Sequence, residues 1–457
     1  MISYYLTTRN IVLVTIITIM AYLLIFSIEV FQPKGKIPTS VTEELKPILI
    51  QFSKAINTKN TTVIFKLKSE MINTLGEYAG VPEVDPDYVL YGNINEPDIN
   101  KVIAVWREAN KANEITRPWV YAEKNSGYAG TKAPRLRKSL RQALGELRSA
   151  ELDLLGENGH LKVATRAFDY MIKTQSPNGV FGFPVGNDSK GNVGKIVKRK
   201  IREANQLGKN ILWNDWIIDD LGSGDLKFDN GVVGAGLIYA YWMTNNQDYL
   251  KSAQASAEWA MKQPYSPNFN YNSFSGYLLA RLYRATDNKD YLKAAEDIFD
   301  YAVLPGQMEN GRWFDPHNAR IQYHSVMMRA LIEYYLALKY ADSDKAIGVK
   351  SAIIKGLDNL AEEIINLGVS NAHEMLSLDA LVLGLLAIDD KPLWQKAVNA
   401  NVNYLLDGYW KKLLKHNRPI PNGVATYILY RHHKVIEVKG YEYNLQLPKK
   451  SQKNDVN

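Results

Sequence analysis

The chain has 457 residues, which is enough for one large domain or two ordinary ones. Apolar residues make up 46% and charged residues 23% of it, so the composition is that of a folded globular protein rather than a disordered one. There is no cysteine, which excludes a disulfide scaffold, a thiolate zinc site and a cysteine nucleophile. The formal net charge of +7 favours an acidic polymer as partner, while the lack of a dense basic block argues against nucleic acid.

An apolar run near the N-terminus, from Ile11 to Ile28, contains no charged residue and is bounded by Arg9 and Glu29. As a helix its 18 residues would span roughly 27 Å, close to the hydrocarbon thickness of a bilayer. The run is longer than the apolar part of a cleaved signal peptide and lacks a small-residue cleavage site. We therefore predict a single-pass membrane protein that is anchored through this run, with its folded domain outside the cytoplasm.

The chain divides into four predicted parts. Composition and pattern assign residues 1–31 to the transmembrane anchor, 32–130 to a linker with an irregular and partly helical region, 131–440 to the main domain, and 441–457 to a polar tail. Within the second part, residues 41–72 and 100–112 carry helical patterns.

An internal repeat indicates the architecture of the main domain. Thr244–Lys251 and Thr286–Lys293 share the pattern Thr-Asn/Asp-Asn-x-Asp-Tyr-Leu-Lys at an offset of 42 residues. Each copy ends one apolar segment and begins another, which predicts helical hairpins that recur roughly every 40–50 residues. Met375–Leu386 is apolar nearly all round, so this helix must be buried on every side. The pattern favours an all-α fold, a closed α/α toroid of helical hairpins, over an open solenoid.

The richest polar segment begins at Asp315. An aspartate before Pro316 is typical of a helix N-cap followed by proline at the first helical position. In that register His317, Arg320 and His324 lie on one helical face, at the end where the inner helices of a toroid converge. They are interpreted either as site residues or as groups that bind backbone carbonyls of neighbouring loops.

Residues 319–325, with the sequence ARIQYHS, resemble the Ala-Arg-x-x-Tyr-His-Ser/Thr stretch in the helical C-terminal domain of D-glucuronyl C5-epimerases. Residues 272–283 resemble the preceding inner helix of that domain, and the likeness covers roughly residues 225–340. The resemblance implies a helical toroid in which tyrosines serve in proton transfer at C5 of a uronic acid. It makes Tyr323 a candidate catalytic residue, with Arg320 and His324 as neighbours.

This chemistry is coherent for a polysaccharide that contains uronate. Removing the proton next to a sugar carboxylate needs a cation that neutralises the carboxylate and a base near the proton. Arginine suits the first task and tyrosine or histidine suits the second. Arg320, Tyr323, His324 and His317 can support an epimerase or, if the 4-linked sugar is expelled, a lyase.

The alternative enzyme is a toroid glycoside hydrolase, which needs two carboxyl groups that flank one bond. Asp229 and Asp379 are the leading candidates. Asp379 interrupts an apolar helix, where burial would raise the pKa of its carboxyl group. Both have structural interpretations as well, Asp229 as a helix cap and Asp379 as the partner of an arginine such as Arg329. Further acidic candidates are Asp215, Asp219, Asp220, Asp315 and Glu374.

Aromatic residues in loops predict sugar-stacking surfaces. Ser176–Pro184 is rich in glycine and aromatic residues, and the chain as a whole has 28 tyrosines and 9 tryptophans. The predicted substrate-binding residues are Phe181, Phe183, Trp213, Trp216, Tyr271, Asn272, Tyr277, Trp313 and Asn318. A non-catalytic glycan-binding protein of a cell envelope is the third hypothesis.

Metal and nucleotide signals are weak. The chain has no His-Glu-x-x-His sequence and no Walker or dinucleotide glycine pattern. We therefore predict an enzyme without a metal or cofactor. Its predicted partners are an acidic polysaccharide or oligosaccharide and, through residues 11–28, a membrane.

Overall fold

The computed structural model describes residues 37–82, 88–113, 136–151, 159–185, 192–315, 319–370, 375–415 and 420–435. The helices in these ranges are α1 Thr39–Asn57, α2 Thr61–Leu75, α3 Ile99–Asn113, α4 Leu136–Glu151, α5 Gly159–Thr174, α6 Asn192–Gln206, α7 Leu226–Thr244, α8 Gln247–Met261, α9 Phe269–Thr286, α10 Lys289–Ala302, α11 Ile321–Tyr340, α12 Lys345–Leu367, α13 Leu376–Ala387, α14 Pro392–Tyr404, α15 Trp410–Lys415 and α16 Asn422–Val435. The strands have two residues each: β1 Tyr88–Val89, β2 Phe183–Pro184, β3 Leu212–Trp213, β4 Trp216–Ile217 and β5 Val369–Ser370.

Six helices form a closed inner ring. In the order of their packing they are α4, α7, α9, α11, α13 and α16, and α16 packs against α4 to close the ring. Outside the ring, α5, α8, α10, α12 and α14 each pack on the inner helix that precedes them in the chain, and α3 packs on α16. The predicted toroid of helical hairpins is thus confirmed for the described part of the chain.

The inner helices are buried on more sides than the outer helices, as their sequences predict. In α13 every residue from Ser377 to Leu385 is buried, as its all-round apolar sequence predicts. The inner helices also approach one another closely, since a Cβ atom on Gly231 of α7 would lie 2.3 Å from the carbonyl oxygen of Phe274 in α9. Outer helices instead bury one stripe, which in α10 consists of Tyr291, Ala295, Ile298, Phe299 and Ala302.

The repeated sequence forms the same turn twice. Asn245 and Asp287 adopt the left-handed conformation, with φ of 56° and 58°, which short polar side chains tolerate. The side chains of Asn246 and Asn288 then accept hydrogen bonds from the backbone two residues on, at 3.0 and 2.9 Å, and so cap the outer helices. We call this the short-turn end of the ring, because its described connections are residues 245–246, 287–288, 341–344 and 388–391.

The opposite end of the ring, which we call the mouth, carries the longer connections. The described parts of the connections from an outer helix to the next inner helix are residues 175–185, 192–225, 262–268, 303–315, 319–320, 368–370 and 375. The first connection contains α6 and the antiparallel sheet of order β2-β4-β3. All inner helices begin at the mouth, so their first turns surround one end of the ring axis.

An N-terminal helical hairpin packs on the mouth-side loops. The helical pattern of residues 41–72 corresponds to two helices, α1 and α2, and Asn60 caps the second by accepting a bond from the backbone of Val63 at 3.1 Å. Phe52 of α1 meets the rings of Phe269 and Phe314 edge to face, at centroid distances of 5.8 and 6.1 Å. The hairpin therefore supports the segments that lead into α9 and α11.

The predicted membrane localisation requires a correction. Within the described ranges, no helix combines the length and the apolar character that a bilayer crossing needs. The apolar run from Ile11 to Ile28 lies outside the described residues, as does the predicted tail at 441–457.

The start of α11 also differs from the prediction. The helix begins at Ile321 and not after Asp315, and its N-cap residue is Arg320. The reason is tertiary: the buried guanidinium of Arg312 donates a hydrogen bond of 2.8 Å to the carbonyl oxygen of Ala319. Arg320 therefore precedes the helix and His324 lies within it, whereas His317, the third residue of the predicted stripe, lies outside the described residues.

Candidate active site

A cavity of about 70 Å³ lies on the ring axis near the mouth, and all six inner helices contribute to its wall. Its charged lining residues are Arg137 and Arg141 of α4, Arg329 of α11 and Asp379 of α13. The enclosed volume holds a few water molecules.

Asp229 lies in the first turn of α7 and pairs with Arg137 in the first turn of α4. The guanidinium group contacts both carboxylate oxygens, with Nε–Oδ1 at 3.0 Å and Nη2–Oδ2 at 2.7 Å, which is the forked geometry that favours arginine. Asp229 is 1% exposed, and Arg137 also stacks on the ring of Phe228 at 3.8 Å. The interpretation of Asp229 as a helix cap is wrong, because Asp225 occupies that position.

Asp379 lies in the first turn of α13, across the ring from α7. Its carboxylate accepts a hydrogen bond of 2.9 Å from Thr426 and lies 2.9 Å from Nε of Arg329. Burial raises the pKa of Asp379, but the charges of Arg329 and Arg148 and the bond from Thr426 outweigh it and lower the pKa below 3.8. The predicted rise in pKa is wrong, and the predicted pairing with Arg329 is confirmed. Asp379 is ionised at neutral pH.

A chain of hydrogen bonds joins α9 to α6 at the rim of the mouth. Tyr271 donates to Asp225 at 2.8 Å, and Nζ of Lys200 lies 3.0 Å from the other carboxylate oxygen of Asp225. Burial raises the pKa of Tyr271, and the charge of Asp225 raises it further, so the phenol is protonated at neutral pH. Tyr323 also raises this pKa and Arg137 lowers it, because both lie near the Tyr271 hydroxyl.

Tyr323, His324 and Arg320, which were predicted to form one catalytic cluster, have different surroundings in the structure. Tyr323 is half-buried, whereas Arg320 is exposed at the start of α11. His324 is fully buried on the side that faces α12, where its Nε2 lies 2.8 Å from the carbonyl oxygen of Gly356. Burial, together with the charge of Arg312, lowers the pKa of His324 to about 3. His324 is therefore a neutral core residue, which corrects its predicted catalytic role, and His317 lies outside the described residues.

Some of the predicted sugar-binding residues lie at the cavity or near the mouth, and others are buried in the core. Tyr277 lines the cavity, while Tyr271 and Trp213 are half-buried near the mouth. Five others are corrected, because they are at most 2% exposed and fill the apolar interior beneath the mouth-side loops: Phe181, Phe183, Trp216, Asn272 and Trp313. Phe181, Trp216 and Trp313 belong to the main hydrophobic core and Phe183 to the smaller core beneath α6, while Asn272 bonds the backbone of Ser266. Asn318 lies outside the described residues.

The remaining acidic candidates do not line the cavity. Asp220 is buried, and its carboxylate accepts backbone bonds from Gly222 at 3.0 Å and Leu226 at 2.9 Å, which caps α7. Asp315 is buried in the loop before α11. Asp215 and Asp219 are exposed, and Glu374 lies outside the described residues.

Sequence reasoning missed two of the three arginines that line the cavity. Arg137 and Arg141 stand four residues apart at the start of an amphipathic helix, a spacing that places both on one face. With Arg329 they give the cavity three lining cations against one lining carboxylate, Asp379, while Asp229 pairs with Arg137 behind the wall. The excess of positive charge suits a ligand with a carboxylate group. Among the described residues, no cluster of three or more His, Asp or Glu side chains is arranged to hold a metal ion.

Comparison of sequences shows a partial family match. The profile of glycosyl hydrolase family 88 matches residues 193–326, a segment that runs from α6 into α11. The segment contains Lys200, Asp225, Asp229, Tyr271 and Tyr323, which surround the mouth. No curated protein matches the chain.

Solved structures of several carbohydrate-active enzymes are similar in outline. A polysaccharide lyase is 12% identical with a TM-score of 0.46, and the alignment covers 74% of this chain and 99% of that one. A cellobiose 2-epimerase from Bacillus thermoamylovorans is 12% identical with a TM-score of 0.45, at coverages of 73% and 100%. An unsaturated glucuronyl hydrolase from Streptococcus agalactiae is 10% identical with a TM-score of 0.44, at coverages of 78% and 99%. Such values carry no activity from one chain to another, whereas the family match supports a carbohydrate-active enzyme.

Proposed function

We propose that the protein is a carbohydrate-active enzyme that hydrolyses a glycosidic bond beside a uronate in an acidic saccharide. One observation carries the proposal: the segment similar to glycosyl hydrolase family 88 supplies Asp229, Tyr271 and Tyr323 beside a cavity that is lined by three arginines and by Asp379 of α13. Arginine binds carboxylates through paired donors, so the cavity favours a uronate over a neutral sugar.

Asp229 is the proposed general acid. The substrate carboxylate competes with Asp229 for the forked donors of Arg137, which lie beside the cavity. Release from Arg137 would free Asp229 to face the glycosidic oxygen and to donate a proton to it.

Asp379 is the proposed partner of Asp229. It lines the cavity from the opposite side of the ring, and the lowered pKa keeps it ionised. An ionised carboxylate suits the second role in glycoside hydrolysis, either as a base that activates water or as the nucleophile. Arg329 and Thr426 hold the carboxylate in place.

Incubation with uronate-containing oligosaccharides tests this function. Hydrolysis would release reducing ends without the ultraviolet absorbance of an unsaturated product. We expect Asp229→Asn and Asp379→Asn each to lower kcat/KM by about 100-fold or more, since each removes a carboxyl group from proton transfer. The matched control is Asp287→Asn at the short-turn end, where asparagine tolerates the left-handed backbone. Wild-type rates in both site variants would refute the assignment.

Proton abstraction at C5, as in an epimerase or lyase, is the second candidate. The specific observation in its favour is the proximity of the two phenols of Tyr271 and Tyr323 to Arg137. Because the raised pKa keeps Tyr271 protonated, it would donate a proton, and Tyr323 would act as the base. Incorporation of deuterium at C5, or an unsaturated product, would favour this candidate, and Tyr323→Phe would abolish either signal.

A further inference from the structure

α6 has two chemically different faces. On the inner face, Val197 and Ala204 pack in a small apolar core with Phe183 and Ile217 of the mouth-side sheet. The outer face consists of basic residues spaced three and four positions apart, which places them on one side of the helix. These exposed residues are Lys195, Lys198, Arg199 and Arg202.

One basic residue of α6 points inward and joins the helix to the mouth. Lys200 is 1% exposed, and its Nζ lies 3.0 Å from the Asp225 carboxylate, 3.0 Å from the carbonyl oxygen of Asp220 and 2.7 Å from the Ser223 hydroxyl. Asp225 in turn accepts the hydrogen bond of Tyr271 at the rim. A buried ion pair of this kind fixes a geometry more than it adds stability. The outer face of α6 therefore has a defined position beside the mouth.

We propose that this outer face binds the length of an acidic polysaccharide chain that extends out of the mouth. The inference rests on the proposed function, since it assumes that the bound sugar belongs to a longer polyanion. The face carries four basic residues against one acidic residue of α6, Glu203, whose Oε1 lies 3.7 Å from Nε of Arg199. Several exposed cations along one line suit a polyanion, because each releases counterions when the polymer binds.

Other anionic partners fit this face less well. A helix that binds a membrane surface inserts its apolar side into the lipid, but α6 uses its apolar side against the sheet. Sites for single-stranded nucleic acid combine positive charge with aromatic stacking platforms, and α6 contains no aromatic residue. A polysaccharide of repeating carboxylates needs neither an inserted apolar side nor a stacking platform.

The test compares two variants of the full chain that lose the same charge. In the first, Lys195, Lys198, Arg199 and Arg202 are all replaced by glutamine. In the control, four exposed lysines toward the short-turn end are replaced by glutamine, namely Lys251, Lys289, Lys339 and Lys396. Binding of polygalacturonate is measured by calorimetry at two salt concentrations. We expect the dissociation constant of the α6 variant to rise about tenfold and its salt dependence to become shallower, with little change in the control.

Each outcome has a defined meaning. Unchanged polymer binding in the α6 variant, equal weakening in both variants, or no binding by the wild type would overturn the proposal. Binding to phosphatidylserine vesicles or duplex DNA that exceeds polygalacturonate binding and depends on α6 would overturn it in favour of that partner. The measurement needs no turnover, so polymer binding that depends on α6 without cleavage of any saccharide would refute the proposed hydrolysis and leave this surface intact.

Discussion

The two ends of the ring axis use the same residue types in different ways. Near the mouth, Arg137 and Arg329 pair with carboxylates at the wall of a cavity. Deeper in the ring, Nε of Arg281 donates to Glu333 at 3.0 Å, and Arg284 donates to the other carboxylate oxygen at 2.9 Å. Arg281, Arg284 and Glu333 are fully or almost fully buried and do not line the cavity.

Aromatic rings enclose the arginines of the deeper group. The guanidinium group of Arg281 lies 4.7 Å from the ring of Tyr277, and that of Arg284 lies 5.2 Å from the ring of Trp242. Burial raises the pKa of Glu333, but the charges of Arg281 and Arg284 outweigh it and lower the pKa. The lesson is that a buried charge indicates a binding site only where an opening gives a ligand access to it.

Removal of Glu333 should have the largest effect on stability. Glu333→Ala leaves two buried arginines without their carboxylate, and breaking such a network costs about 3–5 kcal/mol of the free energy of unfolding. Urea unfolding followed by circular dichroism measures this loss. Glu43→Ala, which removes the exposed pair with Lys46, is the control and should cost less than about 0.5 kcal/mol. A loss below about 1 kcal/mol at Glu333 would contradict this account of the deeper end.

The stability lost in the Asp379→Asn variant should depend on pH. The pKa of Asp379 is lower in the folded chain than the ordinary 3.8, so its contribution to stability is present above that value and is lost as the pH falls through the folded pKa. We expect the variant to lose about 1–3 kcal/mol at pH 7, and the gap from wild type to shrink in acid. Urea unfolding at pH 7 and pH 3 checks this. If the difference in unfolding free energy between wild type and variant is the same at both pH values, the ion pair of Asp379 with Arg329 is not its cause.

A smaller effect is expected at the rim. Asp225→Asn removes the charge that raises the pKa of Tyr271, so we expect that pKa to fall and the alkaline limb of the pH–rate profile to move to lower pH. The rate at neutral pH should drop by about tenfold, the loss of one hydrogen bond to a charged group. Ser223→Ala is the control, since it removes a neutral neighbour and keeps the carboxylate. If the alkaline limb of the pH–rate profile stays at the same pH in Asp225→Asn, Tyr271 takes no part in the reaction.

The smallest effect on activity is expected at His324. His324→Asn should cost about 1 kcal/mol of stability, because the bond to the Gly356 carbonyl is lost or weakened. The pH–rate profile of the folded variant should match that of the wild type, since the histidine is buried and neutral. A change in the acid limb would restore a catalytic role for this side chain.

The sequence correctly predicted the features that depend on residues close together in the chain. The repeated turns follow from Asn and Asp at positions that need a left-handed backbone, and the closed ring follows from the all-round apolar α13. The local signal of Asp315 and Pro316 predicted too early a start for α11, which begins at Ile321 behind a bond from Arg312 to the Ala319 carbonyl. The pairing of Arg137 with Asp229 joins residues that are 92 positions apart, and no local pattern encodes it.

Closure of the ring has a consequence for biosynthesis. The side chain of Asn422 donates a hydrogen bond of 2.9 Å to the backbone carbonyl of Arg141, across a separation of 281 residues. Contacts this distant in sequence form late, because a long loop must close before they contribute. A nascent chain that has not yet released α16 from the ribosome lacks one wall of the cavity. The wall of the cavity is therefore complete only after α16 has packed against α4.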